Sequence, residues 1–333
     1  HNPDVEYWKG DMGYHSHTVL PFPEEWGVEV TEFCMRPDHK SALLALGTRD
    51  VYLWDFSGDG TLKRHIEGCR KARFASRISV LPDGSFWVAY ENWECSDVGY
   101  VGLYAPDGTP VFRKKRTKSV AQLMGTPRSM VVTDCGDAIV ATSANGRGWL
   151  DITRISRRKG KEVWRITPPE PSLYRGCSVG SMVLRGDELY TYYNPAYGVP
   201  SPRMLVFSAT TGEHLHTALI REMPRQYRFD TLFTHAFVSE GHMVMGTSNH
   251  GSPDSDPTAA VAVLLDAVTE ASLVPINRSV SVYEPTPKLM QGVRLVGMGV
   301  DPEGKVYVAQ SGYGVIYYDQ MRLESADTTT QSE

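Results

Sequence analysis

The sequence feature that most constrains the fold is a recurring unit of four short apolar or alternating runs separated by turn residues. The first unit contains Glu32–Met35, Ala42–Leu46, Val51–Asp55 and Thr61–Ile66. Such runs are typical of β-strands, and helical periodicity is nearly absent from the chain. A four-strand unit that recurs along a chain indicates that neighbouring units stack to bury a shared core.

Further units follow the first at similar spacing. The units are predicted at about 28–67, 73–116, 124–167, 173–220, 229–276 and 291–320. The fourth run of the second unit is predicted at Val111–Arg113, whereas the last unit has no fourth run of its own. Because an open ring of sheets would leave unpaired edges, we expect the segment 5–10 to supply the missing strand. We therefore predict one domain over 1–322 and a disordered polar tail over 323–333.

The third run of the first unit ends in Trp54–Asp55, which resembles the WD40 repeat. The repeats resemble those of β-propellers over almost the whole chain, and they are equally similar to the six-bladed lactonase and streptogramin-lyase type. This resemblance implies an all-β fold: a six-bladed β-propeller of four-stranded antiparallel blades, closed by an N-terminal strand. Propellers include both enzymes and scaffolds, so the resemblance does not choose a function.

Charge and hydropathy restrict the partners. The 333 residues include 34 basic and 39 acidic side chains, a formal charge of -5, which is the reverse of the basic footprint expected for nucleic-acid binding. No apolar run approaches the roughly 18 residues that a transmembrane helix needs. We expect neither a nucleic-acid partner nor a membrane partner, and a cytoplasmic location with secretion left open.

Several short motifs are assigned to structure rather than chemistry. His15–His17 and His214–His216 each place two imidazoles on one face of an extended segment, but neither pair has a nearby carboxylate or cysteine. We predict no metal site and no cofactor. Gly176–Gly180 matches a serine-nucleophile motif, but strand-forming residues follow it, which favours a packing turn. The basic runs Arg113–Arg116 and Arg157–Lys161 are predicted to lie on solvated edges, with binding of an acidic protein partner or an anion as the alternative.

A candidate site follows from propeller geometry. The start of each inner strand and the loop after each second strand lie on one face, around the mouth of the central channel. Glu91 is the predicted general acid or base, and His235 the second proton-transfer group or a hydrogen-bond partner of the substrate. Arg77 and Arg128 are the predicted anchors for a substrate anion. The other predicted substrate-binding residues are Glu32, Trp93, Asn145, Tyr193, Asn194, Asn249, His250 and Tyr313.

Two functional hypotheses stay open at this point. The first is a propeller that binds a small polar or aromatic molecule at its mouth, with metal-independent acid–base chemistry of the lyase, cyclase or hydrolase type if it is an enzyme. The alternative is a non-enzymatic, WD40-like scaffold with a protein partner. A purely structural role also stays open, in which Glu32, Arg77, Glu91 and Arg128 pair with one another along a water-filled channel.

Overall fold

The architecture is taken from a computed structural model of the chain. The structure describes residues 17–22, 30–57, 60, 62–92, 98–112, 121–143, 150–167, 178–194, 203–221, 233–239, 242–248, 258–266, 270–275, 295–303, 306–310 and 314–318. Regular structure within these ranges is entirely β-strand. Among them there is no helix with the length and apolar character needed to cross a membrane.

The strands are short and follow one another in regular order. The first half of the chain contains β1 (His17–Pro21), β2 (Glu32–Met35), β3 (Ser41–Ala45), β4 (Val51–Asp55), β5 (Leu62–Ile66), β6 (Phe74–Val80), β7 (Phe86–Glu91), β8 (Val98–Tyr104), β9 (Ala121–Met124), β10 (Thr126–Val132), β11 (Ala138–Ser143), β12 (Leu150–Ile155) and β13 (Glu162–Ile166). The second half contains β14 (Ser178–Arg185), β15 (Glu188–Asn194), β16 (Arg203–Ser208), β17 (His214–Arg221), β18 (Phe233–Ser239), β19 (His242–Ser248), β20 (Thr258–Asp266), β21 (Glu270–Pro275), β22 (Leu295–Val300), β23 (Val306–Gln310) and β24 (Gly314–Tyr318).

Most strands pair with their neighbours in sequence as four-stranded antiparallel meanders. β2–β5, β6–β9 and β10–β13 each form a separate sheet, and β22–β24 form another together with β1. β14–β17 and β18–β21 are two further meanders, joined into one eight-stranded sheet by parallel pairing of β17 with β21. The predicted all-β class and four-stranded antiparallel units are confirmed. Because two meanders share one sheet, the count of six blades stays a prediction.

The meanders are arranged around their first strands. These inner strands contact one another in the cyclic order β2, β6, β10, β14, β18, β22 and back to β2. Each meander has two ends, which we name for the rest of the article. The mouth end is where the inner strand begins and the second strand finishes. The turn end is where the hairpin turn joins the inner strand to the second strand.

The core lies between adjacent sheets rather than in one central mass. Phe33 and Trp54 of the first meander pack with Tyr307 of the last, and these side chains are almost fully buried. Full burial of a side chain of this size stabilises the fold by about 1.5–3 kcal/mol. Buried polar groups also join the sheets: the indole N–H of Trp87 donates to the carbonyl of Gly136 at 2.9 Å. Each sheet therefore depends on its neighbours for stability.

Glycine and aspartate form the hairpin turns where the sequence predicts them. Gly84 has a φ of 81°, which favours glycine, and its N–H donates to the carbonyl of Leu81 at 2.9 Å. The matching turn of the first meander places His39 in the left-handed region instead, with a φ of 51° and an N–H bond to the carbonyl of Arg36 at 2.9 Å. His39 is thus a strained exception at a glycine position.

An N-terminal strand completes the last sheet, as predicted. β1 pairs antiparallel with β24, and the register runs from His17 opposite Tyr318 to Pro21 opposite Gly314. The strand in this place is therefore His17–Pro21, whereas the predicted closing segment, 5–10, lies outside the described residues. The tail over 323–333 lies outside them as well.

One predicted strand is misplaced. The fourth strand of the second meander was expected at Val111–Arg113, but the structure has β9 at Ala121–Met124, paired with the first half of β8. Val111 and Phe112 lie in a bend after an isolated bridge between Tyr104 and Pro110. The N–H of Val111 still donates to the carbonyl of Leu103 at 2.9 Å, but Pro110 has no N–H to add a further ladder bond.

Candidate functional site

Three predicted site residues lie on adjacent inner strands near the mouth end. Glu32 is on β2, Arg77 on β6 and Arg128 on β10, and these strands contact one another in this order. The register of β6 shifts between Ala75 and Arg77, and β10 has a corresponding shift around Arg128. A β-bulge of this kind changes the direction of a side chain. Two arginines and one glutamate therefore lie on three adjacent inner strands.

Arg77 joins three meanders. Its Nη1 donates to Glu32 Oε2 at 3.3 Å and to the backbone carbonyl of Ser76. Its Nε donates to the backbone carbonyl of Arg128 at 2.5 Å. The other carboxylate oxygen of Glu32 accepts the N–H of Ile78 at 3.4 Å. The side chains of Arg77 and Glu32 are only 17% and 12% exposed, so this is a nearly buried ion pair with additional backbone bonds.

Further polar side chains of the inner strands also make hydrogen bonds to neighbouring strands. The Nε of Arg128 donates to Ser143 Oγ at 2.7 Å, which connects β10 to the end of β11. Ser129 Oγ accepts the N–H of Met182 at 2.9 Å, which connects β10 to β14. Polar residues on the inner strands therefore join neighbouring strands and satisfy backbone groups that the channel would leave unpaired.

Glu91 differs from these residues. It is the last residue of β7, opposite Phe74 in the register, and its backbone carbonyl accepts the N–H of Arg73 at 3.0 Å. It is half-buried, and within the described part of the chain its carboxylate has no hydrogen bond or ion pair. A carboxylate in this state is available to accept a proton or a ligand donor.

The other predicted residues are placed only in part. His235 lies on the inner strand β18, opposite Met245 in the register. Tyr193 and Asn194 end β15 and therefore lie at the mouth end of their own meander. The remaining predicted residues lie outside the described residues: Trp93, Asn145, Asn249, His250 and Tyr313.

A rigid basic segment at the mouth end was not foreseen from the sequence. Residues 67–73, which we call the basic turn, cross from β5 to β6. Cys69 and Ala72 are buried, and the N–H of Ala72 donates to the carbonyl of Cys69 at 3.0 Å. A methyl group on Gly68 would lie 1.8 Å from the carbonyl oxygen of Arg49, so only glycine fits at this crossing.

Asp50 fixes the start of the basic turn. Its Oδ1 accepts the N–H of Gly68 at 3.0 Å and its Oδ2 lies 2.9 Å from His65 Nε2. Burial alone would raise the pKa of Asp50. The hydrogen bonds from Gly68 and His65 and the charges of His65 and Arg49 together lower this pKa by more than burial raises it, so the net shift is downward. The carboxylate stays ionised and holds the loop in place.

The basic turn exposes its cations. Arg70 and Lys71 occupy the two central positions between Cys69 and Ala72, and Arg73 follows them; all three are exposed. Small buried residues alternating with cations were the available signal in the sequence. Only the longer basic runs, Arg113–Arg116 and Arg157–Lys161, were considered from the sequence.

At the turn end, the charged groups form bonds between meanders. Arg154 donates from Nε to Asp137 Oδ2 at 2.9 Å and from Nη1 to the carbonyl of Ala209 at 2.8 Å, in the next meander. Arg157 donates from Nη2 to Asp83 Oδ2 at 2.6 Å, in the preceding one. Arg154 and Arg157 are therefore bonded into the fold, whereas Arg158 at the same end is exposed.

No family model matches the chain, and no curated protein matches it. Solved structures do resemble it. Hydrazine synthase of Kuenenia stuttgartiensis has a TM-score of 0.56 at 16% identity, covering 91% of this chain and 77% of that one. The WD40 repeats of RRP9 have a TM-score of 0.54 at 11% identity, covering 88% and 76%. The fold is a β-propeller. A chain of the mitotic checkpoint complex is also similar, with a TM-score of 0.50, 12% identity and coverage of 86% and 74%.

Within this propeller, the inner strands surround the channel and the mouth end is one of its two faces. WD40 proteins are among the structural neighbours, as the Trp54–Asp55 ending led us to expect. Identities of this size show the fold alone. Neighbours that are named for WD40 repeats, a mitotic checkpoint complex and a hydrazine synthase leave the choice of function to the residues of this chain.

Proposed function

We propose that this propeller is a protein-interaction scaffold that receives a partner at its mouth end. The observation that carries the proposal is the contrast between engaged and exposed charges. Arg77 and Glu32 are bonded to each other and to neighbouring inner strands, whereas the cations of the basic turn face solvent. Charges that steer and select a partner need solvent exposure, and charged residues on an interface rim act in this way.

Two of the three structural neighbours named above support a scaffold, whereas hydrazine synthase is an enzyme. RRP9 contributes WD40 repeats, and another neighbour belongs to the mitotic checkpoint complex, an assembly of several proteins. A rigid scaffold with a pre-formed loop loses little conformational entropy when it binds. The pinned basic turn fits this requirement.

Photo-crosslinking tests the proposal. A benzophenone amino acid replaces Lys71 on the basic turn, or Lys159 at the turn end as the matched exposed control. We expect discrete protein adducts from the position 71 probe in extracts of the source cells, and none from the position 159 probe. Equal labelling from both positions, or none from position 71, would show that the mouth end is not a docking face.

Glu91 supports a second candidate, a small-molecule site with acid–base chemistry. Its half-buried carboxylate lies at the mouth end without a partner among the described residues. In this hypothesis Glu91 is the general acid or base, with His235 as the second proton-transfer group. Arg77 and Arg128 would hold a substrate anion, although both already bond within the protein.

A ligand screen separates this candidate from the scaffold. Thermal-shift measurements with a set of small polar and aromatic molecules would find a stabilising ligand for the wild type, and Glu91→Gln would weaken the shift. If turnover of that ligand is found, Glu91→Gln and His235→Ala should each lower the rate by about 10²–10⁴-fold. A ligand whose binding and turnover are unchanged in both variants would exclude these roles.

A further inference from the structure

The basic turn is built to hold its cations in a fixed geometry. Cys69 and Ala72 anchor it in the core between the first two meanders, and the bond from Ala72 N–H to the carbonyl of Cys69 closes it. Arg73 N–H donates to the carbonyl of Glu91, which fixes the end that enters β6. Because the backbone is held at both ends, binding through Arg70 and Lys71 would not require the loop to order.

Among the described residues of this surface, the four cations Arg49, Arg70, Lys71 and Arg73 outnumber the three carboxylates Asp50, Glu67 and Glu91. Arg49 is 40% exposed and lies next to the turn, because its carbonyl approaches Gly68. Arg70 Nε lies 3.6 Å from Glu67 Oε1, an exposed pair that contributes little. Lys71 has no ion pair with any residue that the structure describes.

The neighbouring carboxylate is already engaged. Asp50 is bonded to Gly68 N–H and His65, and its approach to Arg49 is a longer contact of 3.8 Å. The guanidinium carbon of Arg73 lies over the ring of Phe74, 5.2 Å from its centroid, and the residue is exposed. The surface is therefore a local cationic area on a chain with a net charge of -5.

We infer that the basic turn together with Arg49 is a docking surface for an acidic segment of a protein partner. This inference rests on the proposed scaffold function. The guanidinium groups of Arg49 and Arg70 and the ammonium group of Lys71 are solvent-accessible and can each bind a carboxylate, which guanidinium binds in bidentate geometry. A continuous polyanion is less suitable, because Glu67 and Glu91 border the surface and the chain as a whole is acidic.

Fluorescence anisotropy with defined probes tests the inference. The probes are a labelled peptide of alternating Glu and Gly, the matching Lys–Gly peptide, and a labelled single-stranded RNA with the same formal charge as the Glu–Gly peptide. We expect the full-length protein to bind the Glu–Gly peptide, more weakly as salt rises, and not the Lys–Gly peptide. Arg70→Glu/Lys71→Glu should weaken binding by about tenfold or more, equal to about 1.4 kcal/mol.

A matched control isolates the turn from net charge. Arg158→Glu/Lys159→Glu makes the same charge change on exposed residues at the turn end and should alter the affinity less than about twofold. Urea unfolding of both double variants should match the wild type, because the four side chains are exposed. Equal weakening by the two variants would overturn the inference in favour of a general charge effect.

The remaining outcomes are also decisive. Tighter binding of the RNA, with displacement of the peptide, would assign the surface to nucleic acid. Absence of binding to the Glu–Gly peptide, together with protein adducts at position 71, would refute the acidic partner and leave the scaffold function intact. Absence of adducts together with binding of the Glu–Gly peptide would refute the scaffold while retaining an anion site.

Discussion

Two nearly buried arginines at opposite ends of the propeller make similar bonds. Arg77, near the mouth end, pairs with Glu32 and donates to a carbonyl of the next inner strand. Arg154, at the turn end, pairs with Asp137 and donates to a carbonyl of the next meander. The carboxylate comes from the preceding meander in the first case and from the same meander in the second.

This comparison shows that position in the channel does not make a charge functional. A guanidinium group that is satisfied by a carboxylate and a carbonyl has a structural role at either end. The groups left for recognition are the half-buried carboxylate of Glu91 and the exposed cations of the basic turn. Predictions that separate the two ends test this conclusion directly.

The largest expected effect is the loss of either buried arginine. Arg77→Ala and Arg154→Ala should each lower the free energy of unfolding by about 3–5 kcal/mol, because each removes the arginine that neutralises a nearly buried carboxylate. Urea denaturation at neutral pH measures this. The control is Arg165→Ala, which removes the more exposed pair of Arg165 with Glu162 and should cost less than about 1 kcal/mol. A cost below 1 kcal/mol for Arg77→Ala alone would restore it as a candidate anchor.

A smaller effect is expected at the turn end of the first two meanders. His39→Gly should raise the free energy of unfolding by about 1 kcal/mol, because glycine adopts the left-handed backbone without strain. Gly84→Ala should lower it by about the same amount or more at the equivalent position. Thermal unfolding of the two variants measures both changes. The two substitutions should change the free energy of unfolding in opposite directions. A change in the same direction would show that the two turns are not equivalent.

The smallest effect concerns the exposed pair of Asp83 and Arg157. Hydrogen bonds from the Ser85 hydroxyl and the Arg157 guanidinium lower the pKa of Asp83 to about 2. Because the pKa of Asp83 is lower in the folded state, its ionised carboxylate stabilises the fold at pH values above the unfolded-state pKa of about 3.9. This contribution disappears as the pH falls toward about 2. Asp83→Asn should therefore lower stability by less than about 1 kcal/mol at pH 6.

Calorimetry at pH 6 and near pH 2 checks this dependence. The difference in melting temperature between the wild type and Asp83→Asn should shrink as the carboxyl group of the wild type takes up its proton. A difference that stays constant over this range would mean that the variant acts through packing rather than through charge.

The fold was more accessible from the sequence than the site. Apolar runs such as Phe86–Glu91, which turn residues bound, are local patterns, so their strand assignment needed no knowledge of distant contacts. The fourth strand of the second meander was misplaced because Val111 and Phe112 are apolar, whereas pairing with β8 decided the position of β9.

The arrangement of the site could be predicted only in part. Propeller geometry predicted that Glu32, Arg77 and Arg128 share the channel, and they lie on adjacent inner strands. Their bonding partners depend on distances between separate meanders and on local bulges, which no single run encodes. The basic turn was missed because its rigidity depends on Asp50 and Arg49, which lie in a different loop.

Closure by β1 determines the order in which this chain can complete its fold. His17 pairs with Tyr318, so the two strands of this contact are separated by roughly 300 residues, and loop closure over that length costs about 5 kcal/mol of chain entropy. During synthesis the earlier meanders can form while β1 still has no partner, since β24 emerges last among the strands. The final sheet therefore forms late. Until β1 pairs with β24, the unpaired edge of this sheet is a site where another chain can add and start aggregation.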